Sequence, residues 1–192
     1  MQHFNTKCCI GEGMDINMTT DARTRYTKMV IHSAFLQLLK ERPIEKVSVA
    51  EICRLAGINR ATFYRNYENQ YDLLSALENE MLEDIKKSVY QYDGNIDKLT
   101  ETILEKFSEQ KEMWTLLLSD HADLGFLLKI YSFLEDHLTR NHSTKESELR
   151  YRFLLHGYSG VFDDWIKGGM KEPPRIIAGY LSKFRHDLTD HL

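Results

Sequence analysis

The feature that most constrains this chain is a pair of short helical patterns joined by a glycine, between residues 48 and 67. Ser48 stands three residues before Glu51, which is the spacing of a capping box, so a helix is predicted to begin directly after Ser48. Gly57 can take the left-handed conformation that ends a helix and turns the chain sharply. The apolar residues between them recur at helical spacing and would form one buried stripe: Val49, Ile52, Cys53 and Ala56. The pattern therefore predicts a helix-turn-helix.

The second helix of the pair carries basic and aromatic residues close together. Asn59 is predicted to cap it, and its inward side is expected to hold Ile58, Ala61 and Phe63. The residues left on the outward side are Arg60, Thr62, Tyr64 and Arg65. Guanidinium groups pair with phosphate oxygens or with the edge of guanine, and hydroxyl groups donate to phosphates. The pattern favours DNA binding, although the solvated face of any small helical hairpin could have the same composition.

Segment 62–74, with the sequence TFYRNYENQYDLL, resembles the recognition helix and the start of the fourth helix of the TetR family of transcriptional regulators. The run VSV at 47–49 resembles the start of that family's second helix, and AGI at 56–58 resembles its turn. This resemblance extends over about residues 25–83. It implies the DNA-binding domain of that family, with double-stranded DNA as the partner.

A second resemblance covers part of the C-terminal region. The runs YRFL at 151–154, GYSGV at 157–161 and WIKGG at 165–169 are similar to the C-terminal dimerisation helix of one TetR subgroup. That subgroup is related to dihydroxyacetone-kinase regulators. Outside these runs, the C-terminal region resembles the family mainly in its helical layout.

Carried over position by position, the resemblance implies two sets of DNA contacts. From the recognition helix, Arg60, Thr62 and Tyr64 are expected to contact DNA. Five residues around that helix are expected to approach the phosphate backbone: Asn66, Tyr67, Gln70, Ser48 and Val49. Many family members have lysine where this chain has Gln70. One ionic phosphate contact is therefore expected to be a neutral hydrogen bond here, which would weaken the dependence of binding on salt.

The charge of the chain is divided between a basic N-terminal part and an acidic C-terminal part. Residues 21–75 hold nine Lys and Arg against six Asp and Glu, a net charge of +3, although the whole chain carries −4. Residues 76–192 carry −6, and residues 1–20 carry −1. A basic head on an acidic body would orient the molecule towards DNA.

Periodicity and helix breakers divide the chain into three parts. Residues 1–20 show no sustained apolar period and are expected to be a disordered arm. Residues 21–83 would form the helix-turn-helix DNA-binding domain, and residues 84–192 a helical regulatory and dimerisation domain. With 42% hydrophobic residues and only three prolines, the composition favours helices over strands. The expected fold class is all-α, with an N-terminal three-helix helix-turn-helix domain and a C-terminal helical ligand and dimerisation domain.

Capping residues, glycines and prolines place the individual helices. The first helix, over 21–41, is expected to end before Pro43, and a long fourth helix over about 69–92 would link the head to the body. Further helices are expected at about 96–110, 113–118, 121–139, 146–167 and 175–188.

The helix over 146–167 contains two interior glycines, each of which costs about 1 kcal/mol relative to alanine. Close approach of another helix would offset this cost, and that helix could belong either to a second subunit or to the same chain. The resemblance favours a homodimer of two helices from each subunit, which would bind a palindromic operator. The expected interface residues are Leu149, Phe153, Gly157, Gly160, Val161 and Asp164.

Regulators of this type usually hold an effector in the body. The aromatic candidates for such a pocket are Phe107, Trp114, Phe126, Tyr131, Phe133 and His156. Aromatic residues of this kind are more often core residues than ligand contacts. The sequence identifies no effector, which could be a small molecule or a protein.

Catalytic and cofactor motifs are missing from the sequence. No glutamate precedes a histidine by three residues, and there is neither a Cys-x-x-Cys pair nor a phosphate-binding glycine loop, so we expect no enzyme, no metal and no cofactor. The three cysteines, Cys8, Cys9 and Cys53, are an odd number, and Cys53 lies on the predicted buried stripe. A disulfide scaffold is therefore not expected. No apolar run is long enough for a membrane span, which favours a cytoplasmic protein. The alternative function is a helical adaptor whose hairpin binds protein instead of DNA.

Overall fold

The computed structural model describes residues 14–119, 125–138 and 144–190. Over these ranges the chain forms nine α-helices and a short 3-10 turn at Ile44–Lys46, without a β-strand. The helices are α1 (Met14–Glu41), α2 (Val49–Ala56), α3 (Arg60–Tyr64), α4 (Gln70–Tyr90), α5 (Ile96–Glu109), α6 (Lys111–Leu117), α7 (Gly125–Leu138), α8 (Lys145–Lys167) and α9 (Pro174–Asp190). The expected all-α fold class, with an N-terminal helix-turn-helix and a C-terminal helical region, is confirmed.

Helix α1 begins earlier than the sequence pattern predicts. It starts at Met14, within the segment 1–20 that was expected to be a disordered arm. Extending an existing helix gains one hydrogen bond for each residue that is fixed, and no proline or glycine interrupts residues 14–41. The helix ends at Glu41, before Pro43, as expected. Cys8, Cys9 and the rest of the predicted arm up to residue 13 lie outside the described residues.

The head is held together by one apolar core that α1, α2, α3 and the start of α4 share. Its fully buried side chains include Ile31, Phe35, Ile52, Phe63 and Leu73. Burying a side chain of this kind contributes about 1.5–3 kcal/mol. The short helix α3 therefore has a fixed orientation, because Phe63 anchors it to the longer helices.

Helix α4 connects the head to the body. Leu74 and Leu77 are buried near its first turns, and Ile85 is buried further along, on the side of the body. Its Glu78 is buried and accepts a hydrogen bond at 2.7 Å from Nζ of Lys129 on α7. This ion pair joins α7 to the helix that connects the head to the body.

The body consists of α5 to α9, and their boundaries follow the residues that the sequence suggested. Asn95 caps α5 by accepting from the Lys98 amide at 3.1 Å. Gln110 separates α5 from α6, and Gly168 follows the last residue of α8. Helix α9 begins at Pro174, a residue that suits the first helical position. Residues 120–124, where the helix after α6 was expected to begin, lie outside the described ranges.

Cys53 is a free, buried thiol on α2, and burial raises its pKa. None of the described helices combines the length and the low charge that crossing a membrane requires.

Candidate nucleic-acid interface

The start of α2 is fixed by a capping box that the sequence predicted. The Glu51 amide donates to Oγ of Ser48 at 3.3 Å, and the Ser48 amide donates back to Oε2 of Glu51 at 3.2 Å. Arg42 donates to the other carboxylate oxygen at 2.8 Å. Hydrogen bonds from Ser48, followed by that from Arg42, hold the pKa of Glu51 below its usual value. The exposed Ser48 hydroxyl is thus held at the helix end, and Val49 beside it is half-buried.

The turn between α2 and α3 also has the predicted form. Gly57 has φ 67° and ψ 31°, the left-handed region that favours glycine. The amide of Ile58 donates to the Cys53 carbonyl at 3.0 Å and closes the end of α2. Asn59 then caps α3 by accepting from the Thr62 amide at 2.7 Å. These contacts set the angle between α2 and α3, as a helix-turn-helix requires.

The outer side of α3 presents charged and hydroxyl-bearing side chains to solvent. Arg60 and Arg65 are exposed, and Tyr64 is 56% exposed. Within the part of the chain that the structure describes, Arg54 at the end of α2, Arg60 and Arg65 form no ion pair with an acidic side chain. Their charge is therefore available to an anionic partner. The sequence reasoning did not single out Arg54, although it stands as a cation in the last turn of α2.

Two residues of α3 are placed differently from the predicted pattern. Ala61, which was expected to face inward, is exposed. Helix α3 has only five residues, so Phe63 and the flanking Ile58 are enough to anchor it, and no third inward residue is needed. Thr62 is half-buried, and its carbonyl accepts from Nδ2 of Asn66 at 2.8 Å. Part of the Asn66 amide is thus used to stabilise the end of α3.

Tyr67 lies in the core and not on the surface. Its side chain is 5% exposed, and its hydroxyl is 2.7 Å from Nε2 of His32 on α1. Its ring packs against Phe63, with centroids 5.8 Å apart. A phosphate contact by this phenol would require the bond to His32 to open. We therefore assign Tyr67 a positioning role, in place of the direct DNA contact that the resemblance implied.

The N-terminus of α4 lies just after the hairpin. Asn69 caps it by accepting from the amides of Tyr71 and Asp72 at 2.9 and 3.0 Å. Gln70 is the first helical residue and is half-buried, while Tyr71 is exposed. The positive end of a helix dipole attracts phosphate. Gln70 is therefore placed where a neutral phosphate contact is feasible.

An apolar face runs along the outer side of α8 and α9. On α8, Leu149 and Phe153 are exposed, and so are Gly157, Gly160 and Asp164, while Val161 is half-buried. A Cβ built on Gly157 or Gly160 would meet nothing within 4 Å. These glycines therefore do not accommodate a neighbouring helix of the same described chain. The exposed apolar residues of α9 on this face are Ile176, Tyr180, Phe184 and Leu188.

The body encloses a cavity of about 290 Å³. Three of the predicted effector residues line it: Phe107, Trp114 and Tyr131. Phe126 does not line it, because it is buried behind Trp114, with the two rings stacked 5.7 Å apart. Phe133 packs instead against Tyr90, with ring centroids 5.9 Å apart. His156 is exposed on the side of α8 that carries Phe153 and Gly160, so its assignment to the cavity is wrong.

The cavity also has polar residues that the sequence reasoning missed, and these include Tyr151, Tyr158, Asp163 and Arg185. The hydroxyl of Tyr158 donates to the Leu181 carbonyl at 3.1 Å. Burial raises the pKa of both Tyr151 and Tyr158. These residues lie within otherwise ordinary amphipathic helices, so no sequence signal distinguished them from surface residues.

Two family models match separate parts of the chain. The model described as "Bacterial regulatory proteins, tetR family" matches residues 31–77, which include the whole hairpin. The model described as "Transcriptional regulator C-terminal region" matches residues 94–187. The first match favours DNA binding over the adaptor alternative.

Similarity to individual proteins agrees with these matches. The chain is 36% identical over 67 residues to the HTH-type dhaKLM operon transcriptional activator DhaS of Lactococcus lactis subsp. lactis (strain IL1403), over 34% of this chain and 36% of DhaS. It is 25% identical over 112 residues to the uncharacterized HTH-type transcriptional regulator YxbF of Bacillus subtilis (strain 168), over 58% of this chain and 26% of YxbF. The chain thus spans about a quarter of the length of YxbF and just over a third of the length of DhaS. The match to DhaS confirms the resemblance to dihydroxyacetone-kinase regulators.

Among solved structures, the TetR transcriptional regulator from Streptococcus agalactiae 2603V is similar over almost its full length. The two chains are 27% identical with a TM-score of 0.63, and the alignment covers 88% of this chain and 98% of that one. Hairpin geometry, body architecture and both family matches agree. The chain belongs to the TetR family of bacterial regulatory proteins.

Proposed function

We propose that this regulator binds a palindromic operator as a homodimer, with one α3 in each half-site. The observation that carries the proposal is the exposed face of α8 and α9, where apolar side chains surround Gly157 and Gly160. Large exposed apolar patches usually mark interaction sites. A two-fold pairing of these helices would form a four-helix interface and direct both heads to the same side. Two recognition helices would then lie about 34–36 Å apart, one turn of DNA.

On the DNA, Arg60, Thr62 and Tyr64 are proposed to contact the operator from α3. Ser48, Val49, Asn66 and Gln70 would approach the backbone from the ends of α2, α3 and α4. This division is supported by the exposure of Arg60 and Tyr64 and by the helix N-terminus at Gln70. Arginine reads guanine through two hydrogen bonds, whereas hydroxyls and amides mostly position the protein on the phosphates.

We propose repression as the mode of action, because a dimer held across an operator excludes other proteins from that duplex. Activation is the second candidate, since the relative DhaS is named an activator. A promoter fusion measured with and without the gene separates the two, because repression predicts higher expression when the regulator is absent.

Release is proposed to start in the body. The cavity is lined by Ile85 of α4, and α4 also forms part of the head core. A ligand that favours a different position of α4 would change the separation of the two heads. Switching of this kind requires two states with different affinities for both ligand and DNA. We expect no catalytic activity from the cavity.

The experiment combines sedimentation equilibrium with footprinting on DNA upstream of the protein's own gene. The proposal predicts a dimer and two protected half-sites related by symmetry. Phe153 is 65% exposed on the proposed interface, so Phe153→Glu should produce monomers and weaken operator binding. Leu128 is 68% exposed on α7, so Leu128→Glu is a matched control that should remain dimeric. A wild-type monomer, or equal effects of both variants, would contradict the proposal.

A further inference from the structure

The lining of the body cavity is mostly apolar. Thirteen of the twenty-one residues that line it are aliphatic, phenylalanine or tryptophan. Phe107 is at the centre of its aromatic wall, with its ring centroid 4.4 Å from that of Trp114 and 5.7 Å from that of Phe162. A volume of about 290 Å³ is at the lower end of the range for ligand pockets. The cavity therefore fits a compact molecule with a mainly apolar body.

One carboxylate interrupts the apolar lining. Asp163 of α8 lines the cavity, and its Oδ2 accepts from Nζ of Lys167 at 2.9 Å. Its Oδ1 is buried and receives no hydrogen bond from any residue in the described part of the chain. A buried carboxylate oxygen without a donor is unfavourable, because it has lost water without a replacement. A ligand with an N–H group could supply the missing donor.

Three other polar residues of the cavity have partners inside the protein. Nη2 of Arg185 is 2.6 Å from Oδ2 of Asp97, so its positive charge is matched. The hydroxyl of Tyr131 donates to the Ser159 carbonyl at 3.3 Å. Ser159 itself donates to the Leu155 carbonyl at 2.7 Å. At Asp163 the cavity therefore offers a carboxylate oxygen that receives no hydrogen bond from the described residues.

We infer that the cavity binds a compact lipophilic amine, with its ammonium group on Oδ1 of Asp163 and its apolar body against Phe107 and Trp114. Charge-assisted hydrogen bonds to a carboxylate are about twice as strong as neutral ones, which makes an amine a better match than an alcohol. The aromatic rings that line the same cavity also favour a cation over an anion. The role of this amine as an effector rests on the release from DNA proposed above. Its binding to the cavity does not depend on that proposal.

The test uses the full-length protein and two probes of equal length, 4-phenylbutylamine and 4-phenylbutyrate, with affinity measured by isothermal titration calorimetry. We expect the amine to bind about tenfold or more tightly than the carboxylate, because only the amine can donate to Asp163. Equal affinities, tighter binding of the carboxylate, or no binding of either probe would overturn the inference.

Three variants locate the effect. Asp163→Asn should weaken amine binding about tenfold and remove the preference for the amine. Asp136→Asn removes the same charge from an exposed position on α7 and should leave both affinities unchanged. Lys167→Gln removes the partner of Asp163 but keeps the Asp163 carboxylate, so this variant should still prefer the amine. It provides a second test if Asp163→Asn fails to fold. Loss of that preference in Lys167→Gln, or its retention in Asp163→Asn, would contradict the assignment.

Operator binding is measured separately, with and without saturating 4-phenylbutylamine. Amine binding without any change in DNA affinity would leave the assignment of the cavity intact and refute the proposed release. Failure to bind any operator, with the amine preference intact, would refute the proposed function alone.

Discussion

The hydroxyl of Tyr67 and Nε2 of His32 are 2.7 Å apart, and this contact connects the end of the recognition hairpin to α1. Tyr67 follows α3 directly, and its buried ring also packs on Phe63. Burial raises the pKa of Tyr67 to about 12, so the phenol stays protonated at physiological pH. The outward orientation of Arg60 and Tyr64 therefore depends on a contact made on the opposite side of the hairpin.

Tyr67→Phe is predicted to destabilise the protein by about 1 kcal/mol, because the change removes one part-buried hydrogen bond and leaves His32 without that partner. Urea unfolding, followed by circular dichroism, measures the change. Tyr71→Phe is the control. Because Tyr71 is exposed, this variant should unfold at the same midpoint urea concentration as the wild type. A similar loss of stability in both variants would show that the His32 contact is not responsible.

The same contact predicts a dependence on pH. Burial lowers the pKa of His32 below its usual 6.5, with Lys28 adding to this and Glu80 opposing it. The unfolded chain then binds the proton more readily than the folded one. Stability should be complete above about pH 6.5 and decrease as the pH falls towards the lowered pKa. Unfolding measured at pH 7.5 and pH 5.5 should show a larger loss for the wild type than for His32→Gln. An identical loss in the two proteins would contradict this role of His32.

Local chemistry made the helix ends predictable, because a capping side chain or a left-handed glycine acts within a few residues. Ser48, Gly57 and Asn59 were placed correctly for this reason. Tyr67 was not, since an aromatic ring with a hydroxyl suits both a core and a DNA surface, and only packing against α1 decides between them.

The cavity was harder to predict than the helices. Periodicity indicates which side of a helix is buried, but not whether facing side chains meet or leave a gap between them. Phe107 and Phe126 are both buried aromatic residues, yet only Phe107 lines the cavity. Asp163 and Asp164 are adjacent carboxylates on α8, and only the packing of that helix shows that Asp163 lines the cavity while Asp164 is exposed.

Gly157→Ala separates the two roles that an interior glycine can have. In the isolated chain nothing opposes a Cβ at this position, so the change should favour the helix by about 1 kcal/mol. If the partner helix lies close to Gly157, the added methyl group should instead weaken the dimer. Sedimentation across a concentration series measures the dimer dissociation constant, which should increase. Ser33→Ala, which favours the helix at an exposed position of α1 in the head, controls for a general gain in helix stability. Unchanged dimerisation of Gly157→Ala would exclude close helix contact there.

Gln70→Lys should restore an ionic contact at the first turn of α4. We expect tighter DNA binding at low salt, and a plot of log K against log salt that is steeper by about 0.9, because one more phosphate is neutralised. Fluorescence anisotropy at several salt concentrations gives the slope. Glu172→Lys provides a control, since it adds positive charge at an exposed site in the body and should leave the slope unchanged. Parallel plots for Gln70→Lys and the wild type would place Gln70 away from the phosphates.

The central claim is that α3 reads the major groove, and competition between specific and scrambled duplexes tests it most directly. The wild type should prefer DNA from its own upstream region, and Arg60→Ala should lose about 1–3 kcal/mol of that discrimination. Tyr64→Phe should weaken binding to both duplexes alike, and Lys171→Ala, an exposed body substitution, should change neither. A folded, dimeric wild type that binds no duplex at low ionic strength, or an Arg60→Ala variant with undiminished discrimination, would contradict the claim.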